Sequence, residues 1–370
     1  MKTKLPKLSE SMEVRMITTG SMKKIFLAIN CLILAIGNCG GPLVMRLYFI
    51  RGGKRIWFTS WLETGGFPII LIPLLAAYMH RRKAAVDAQL FLMKPRLVFG
   101  SAAIGILTGL DDYLYAYGVA KIPISTCALI VATHLGFTAT FAFLLVKQKF
   151  TAYSVNAVVL LTVGAVVLGL HSSGDRPEGE KKKEYFLGFF MTMSAAALYG
   201  FILPLVELMY LKAKQALNYT LVLEVQLVMC FFATAFCTVG MVIDNDLQAI
   251  PREAKEYQLG ETKYYVVIIC SAILWQCFFL GVVGVIYYSS SLLSGIVITV
   301  LLPLTQLLAV VFYHEKFQPE KGVSLFLAVW GFISYFFGEF KTSTKNNNMI
   351  TMPAETEMIV ESHQPGAAAP

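Results

Sequence analysis

Polar residues along this chain come in short bursts that separate long apolar blocks. Inside a block the apolar residues do not alternate; they occupy every face of a helix, the pattern expected where lipid and not water surrounds it. Five blocks precede a polar stretch at Ser172–Glu184: Ile25–Met45, Ile56–Met79, Leu97–Ala120, Ile122–Val146 and Thr151–Leu170. Five follow it: Tyr185–Leu211, Gln215–Ile243, Tyr264–Tyr288, Ser290–Tyr313 and Gly322–Phe340. Tyr264–Tyr313 carries no charge at all. At ~1.5 Å per residue it is too long for one crossing of a ~30 Å core. The run of tyrosines and serines at 287–291 is the natural break. The pattern therefore predicts an all-α membrane protein with ten transmembrane helices.

The chain also contains a faint copy of itself. Pro42, Leu43 and Val44, followed by Tyr48, recur 162 residues later as Pro204, Leu205 and Val206, followed by Tyr210. Lys149 and Phe150, followed by Gly164, recur 167 residues later as Lys316 and Phe317, followed by Gly331. Both matches divide the chain into five helices plus five. Because five is odd, the second copy enters the membrane from the opposite side, giving two inverted five-helix repeats with a site expected where they meet. The expected segments are a basic cytoplasmic leader at 1–24, a first repeat at 25–171, a polar loop at 172–184, a second repeat at 185–340 and a disordered cytoplasmic tail at 341–370. With the N-terminus inside, inside segments hold 17 Lys and Arg against 14 outside, which favours cytoplasmic termini. The sequon Asn218-Tyr219-Thr220 then faces the cytoplasm and is expected to be unglycosylated.

Composition agrees: 56% of residues are hydrophobic and 15% charged, against about 25% charged in a soluble domain. The net charge of +8 sits largely in the leader and in short loops such as His80–Lys83. Beside membrane spans such residues set topology and meet lipid headgroups, and no nucleic-acid motif accompanies them. The seven cysteines lie in apolar runs without metal-ligand spacing, so they read as small buried hydrophobes; no metal, cofactor or disulfide is expected.

The ionisable residues inside the ten blocks carry the chemistry. They are Glu63, Asp111, Asp112, His134, Glu207 and Glu224, with no Lys or Arg among them. Charge in a membrane segment is costly and marks function by default. A site for phosphate or another fixed anion needs buried cations, so this inventory suits a neutral or cationic substrate, or protons. The five acids are candidate proton carriers. Candidate substrate contacts are Asn38, Trp61, Tyr115, His134, Trp275, Gln276 and Gln306: aromatics to stack on a planar ring, amides and imidazole to pair with its nitrogens. Asp111 and Tyr115 share a helix face, whereas Asp112 is turned by ~100°. Asp111 with Tyr115 is the expected cavity pair, and Asp112 the expected structural bond. Glu63 precedes Gly65, Gly66 and Pro68, a break that could expose it to a cavity, and Glu207 follows Pro204.

The stretches 38–74 (NCGGPLVMRLYFIRGGKRIWFTSWLETGGFPIILIPL), 107–126 (LTGLDDYLYAYGVAKIPIST), 141–150 (FAFLLVKQKF) and 312–339 resemble the plant purine permeases of the drug/metabolite transporter superfamily. The resemblance implies ten helices and proton-coupled uptake of adenine and other nucleobases, cytokinins, or alkaloids such as caffeine and nicotine. At His134 the family pattern leads one to expect Gln. The expected function is a proton-coupled importer of purine-like heterocycles at the plasma membrane, its partners substrate, protons and lipid. Rival readings are a nucleotide-sugar or organophosphate exchanger, which the lack of buried cations disfavours, a membrane enzyme, which lacks any catalytic motif, and a receptor.

Overall fold

A computed structural model describes residues 5–84, 89–121, 127, 130–131, 133–170, 182–213, 215–313, 319, 322–323, 326–327, 329–338 and 341. Among the described residues the chain is all-helical, with no strand. The helices are α1 (Leu5–Ile50), α2 (Ile56–Gly65), α3 (Leu71–Ala84), α4 (Pro95–Lys121), α5 (His134–Val146), α6 (Ala152–Leu170), α7 (Lys182–Leu211), α8 (Tyr219–Ile243), α9 (Asp246–Glu256), α10 (Glu261–Tyr288), α11 (Ser291–Tyr313) and α12 (Val329–Gly338).

Among the described residues six stretches are long and apolar enough to cross a membrane: Met22–Ile50, Ile56–Lys83, Pro95–Lys121, Phe186–Leu211, Tyr219–Ile243 and Glu261–Tyr288. Shorter apolar helices occupy His134–Val146, Ala152–Gly164, Ser291–Thr305 and Val329–Gly338. Large apolar side chains such as Phe99, Ile72 and Ile243 point outward, which is stable for a surface that meets lipid.

Local signals explain the boundaries. The apolar block from Ile56 is one continuous path, but its helix stops at Gly65 and resumes at Leu71 after a 3-10 turn over Phe67–Ile70 with Pro68 at its start. Proline there cannot supply the backbone donor that α2 would need to continue. Asn218 starts α8: its Oδ1 accepts from the Leu221 N–H at 2.8 Å, a side-chain cap. The break expected among the tyrosines and serines falls between Tyr288 and Ser291, where the Ser290 Oγ accepts from the Leu293 N–H.

Two features depart from the sequence reading. Helix α1 runs back to Leu5, into the segment read as a leader. The stretch 244–263, a polar gap between the apolar blocks Gln215–Ile243 and Tyr264–Tyr288, contains α9, with Pro251 inside it. Tertiary bonds hold α9 in place. Glu253 accepts from the hydroxyls of Tyr48 and Tyr264 and from the Lys54 N–H at 3.1 Å, and Arg55 reaches both Asp246, at 3.4 Å, and Glu253, at 3.7 Å.

The helices pack through small residues. Helix α1 lies along α10, and Gly37 and Gly281 let the backbones touch: a Cβ on Gly37 would overlap the Phe278 backbone, and one on Gly281 would sit 2.5 Å from the Leu34 Cα. Without a hydrophobic drive between helices in lipid, such close approach supplies the association energy. Helix α4 packs on both α7 and α8, with α2 alongside. Several buried hydroxyls bond back to their own helix, as Thr108 does to the Ile104 carbonyl and Thr138 to that of His134.

Candidate functional site

Where α1, α2, α4, α5, α7, α10 and α11 converge they enclose a cavity whose empty space, mouth included, is about 660 Å³. Its polar groups come from six helices: Asn38 from α1, Glu63 from α2, Asp111, Asp112 and Tyr115 from α4, His134 from the first turn of α5, Tyr199 from α7 and Trp275 from α10. Pro42 in α1 also lines it. As an internal proline it removes the helical bond to the Asn38 carbonyl, so α1 is weakened at the depth of the cavity.

Each acid is held deep. Glu63 is 2% exposed, Asp111 7% and Asp112 2%. One oxygen of each (Glu63 Oε1, Asp111 Oδ1 and Asp112 Oδ2) is buried without a hydrogen-bond partner. Buried polar atoms are nearly always paired, so three unpaired carboxyl oxygens around one cavity are chemically available. Among the described residues no Lys or Arg lines it. Among the described residues, no group of three or more His, Cys, Asp or Glu converges in a metal-holding arrangement.

Aromatic rings make up much of the remaining wall, together with Val131, Ala195, Ala196, Ile298 and Leu302. Tyr115 meets Trp275 edge-on at 6.2 Å, Trp275 meets Phe278 at 5.4 Å, Phe278 stacks on Tyr199 at 6.1 Å, and Tyr199 meets His134 at 5.9 Å. Rings at these separations form a continuous apolar face. Gly41 makes room for it: a Cβ there would stand 3.0 Å from the Trp275 indole. The indole Nε1 and the Tyr199 hydroxyl are buried without partners.

The sequence candidates separate cleanly by position. Asn38, Glu63, Asp111, Asp112, Tyr115, His134 and Trp275 line the cavity together. Asp112, expected to make a structural bond, lines it beside Asp111: α4 packs between α2 and α7, so two side chains ~100° apart reach a cavity walled from both.

The other candidates lie elsewhere. Glu224 accepts the N–H groups of Leu92, at 2.8 Å, and Met93, at 3.0 Å, ahead of α4. Glu207 accepts the Ser291 N–H at 2.7 Å, at the start of α11. Gln276 donates to the Thr64 carbonyl at 2.9 Å, and Trp61 donates to the Thr238 hydroxyl at 3.1 Å. These last two brace the end of α2 that carries Glu63. The side chain of Gln306 lies outside the described residues. Tyr199, Phe278, Phe279 and Pro42 went unselected from the sequence. Trp275, Phe278 and Phe279 at i, i+3 and i+4 were the available signal, since that spacing puts them on one helix face.

Comparison with known proteins fits this geometry. The purine nucleobase transmembrane transport family matches residues 25–345. Among relatives from Arabidopsis thaliana, purine permease 3 is 58% identical over 324 residues, covering 87% of this chain and 92% of that protein. Purine permease 2 is 52% identical over 338 residues, covering 88% and 94%. A solved crystal structure shares the fold with a TM-score of 0.56 at 14% identity, over 84% of this chain and 95% of its own. Relatives of this identity and coverage are transporters and not enzymes, and the apolar helices make the chain an integral membrane protein. The chain belongs to the purine nucleobase transmembrane transport family.

Proposed function

We propose that this protein is a proton-coupled importer of purine-like nitrogen heterocycles: adenine and other nucleobases, cytokinins, and alkaloids such as caffeine or nicotine. The observation that carries the reading is the cavity itself. Three carboxyls line one space beside aromatic rings, with no Lys or Arg among the described lining residues. Like charges in a desolvated cavity repel strongly, so the acids exchange protons when a substrate or a change of access alters their surroundings. A planar heterocycle stacks on the aromatic wall and presents its N–H groups to the carboxyls. Glu63, Asp111 and Asp112 are the proton carriers in this reading. Asn38, Tyr115, His134 and Trp275 contact substrate, and Trp61 and Gln276 position Glu63.

Transport proceeds by alternating access between two inverted five-helix halves. The packing supports this: α1 pairs with α10 while α7 pairs with α4, and α1 touches α11 while α7 touches α5. These are the exchanges expected if the first five spans map onto the second five in order. The protein lies in the plasma membrane with both termini cytoplasmic, consistent with the Lys and Arg bias.

The test is uptake of labelled adenine in a cell lacking its own purine carrier, at acid and neutral external pH, with and without an uncoupler. Saturable uptake that rises in acid and collapses with the uncoupler is expected. Saturable uptake indifferent to the uncoupler removes proton coupling, and no saturable uptake removes the substrate class.

A further inference from the structure

His134 is 1% exposed and opens α5. Its Nδ1 lies 2.8 Å from the Val131 carbonyl oxygen. A carbonyl can only accept, so Nδ1 carries the hydrogen. In the neutral ring the other nitrogen, Nε2, then holds a lone pair and no proton. Nε2 is buried and has no hydrogen-bond partner, and the residue lines the cavity. Among the described residues no carboxylate stands within ion-pair distance of the imidazole. The edge of Tyr199 packs near the ring and holds it from the side. A buried acceptor left empty is costly, and this one belongs to a residue that lines the cavity beside three carboxyls.

We infer that His134 determines specificity by accepting, at Nε2, a neutral N–H of the bound heterocycle. The inference rests on the reading of the cavity as the substrate site and adds to it the class of ring that fits best. The three carboxyls attract any cation or donor. The fixed imidazole instead rewards a ring N–H or an exocyclic amine at one place, and rejects a ring nitrogen that has only a lone pair there. A Gln in this position would behave otherwise. Its amide can turn to offer either a donor or an acceptor, so it would tolerate both kinds of ring edge. The Val131 carbonyl denies His134 that freedom.

The experiment is competition against labelled adenine uptake, with two probes: adenine methylated at its imidazole N–H, and adenine dimethylated at its exocyclic amine. Each replaces donor hydrogens by methyl groups. The wild-type chain is expected to prefer adenine over one probe by about tenfold, the scale of one well-placed hydrogen bond. In H134L, which keeps comparable bulk but no lone pair, that preference should fall to about twofold or less. In H134Q it should fall to an intermediate value. A preference due to crowding by the methyl group would survive H134L unchanged, and that result overturns the inference. If H134L does not accumulate in the membrane, H134Q decides: an unchanged ratio overturns it, a reduced one supports it. A wild-type chain that takes up adenine yet ranks all three compounds equally also overturns it, leaving the transport reading intact. A wild-type chain that transports none of them removes both.

Discussion

Two sets of acids share this membrane protein and differ in what surrounds them. Glu63, Asp111 and Asp112 face a cavity, each with an oxygen that nothing in the protein pairs. Glu224 and Glu207 are equally rare in composition terms, yet each spends its carboxylate on backbone N–H groups at the head of another helix segment. The second pair repairs the ends of helices, where donors would otherwise face lipid unsatisfied. An acid within a membrane segment therefore need not face a cavity. What separates the two classes is whether the protein has already satisfied its oxygens.

Substitutions can break or sharpen this division. The largest effect on uptake is expected at the cavity. Glu63→Gln keeps the shape but cannot carry a negative charge, and adenine uptake should fall by about tenfold or more, equivalent to ~1.4 kcal/mol, with protein abundance in the membrane unchanged. Full uptake by Glu63→Gln would erase the distinction. Next in size, Glu224→Ala strands the Leu92 and Met93 N–H groups. Hydrogen bonds to charged groups contribute about 1.5–3 kcal/mol, so thermal unfolding in detergent should move down while the KM for adenine stays within about twofold. An altered KM with unaltered stability would transfer Glu224 to the transport class. The smallest effect is expected for Glu207→Gln. An oxygen remains to accept the Ser291 N–H, and only the attraction between a carboxylate and the helix start is lost, about 0.3–1 kcal/mol. Stability should drop by no more than that, measured the same way, and uptake should be unaffected.

Much of the architecture could be read from the chain because lipid imposes a coarse rule: apolar on every face, polar at the ends. The break after Gly65 and the one before Ser291 were visible as glycine, proline and serine in otherwise apolar runs. Helix α9 was not, because its charges and Pro251 look like a loop until Tyr48, 205 positions away, joins Tyr264 in supplying partners for Glu253. The site was half legible for the same reason. Ionisable residues stand out against an apolar background, so Glu63, Asp111, Asp112 and His134 were found. Tyr199, Phe278 and Phe279 are three aromatics in a chain with 26 Phe and 17 Tyr, and only packing separates a wall from a lipid-facing ring. Nor does a sequence show which acids are already bonded: Glu224 lies 132 positions from Leu92.

Helix α2 has a mechanical consequence. It is a rod ~15 Å long, with Glu63 near one tip and, just ahead of the other, Arg55 gripped by Asp246 and Glu253. Both tips are therefore pinned, one through Arg55 to α9 and the other through Trp61 and Gln276 to the helices beside it, so the rod sets the position of the Glu63 carboxyl as a strut fixed at two ends does.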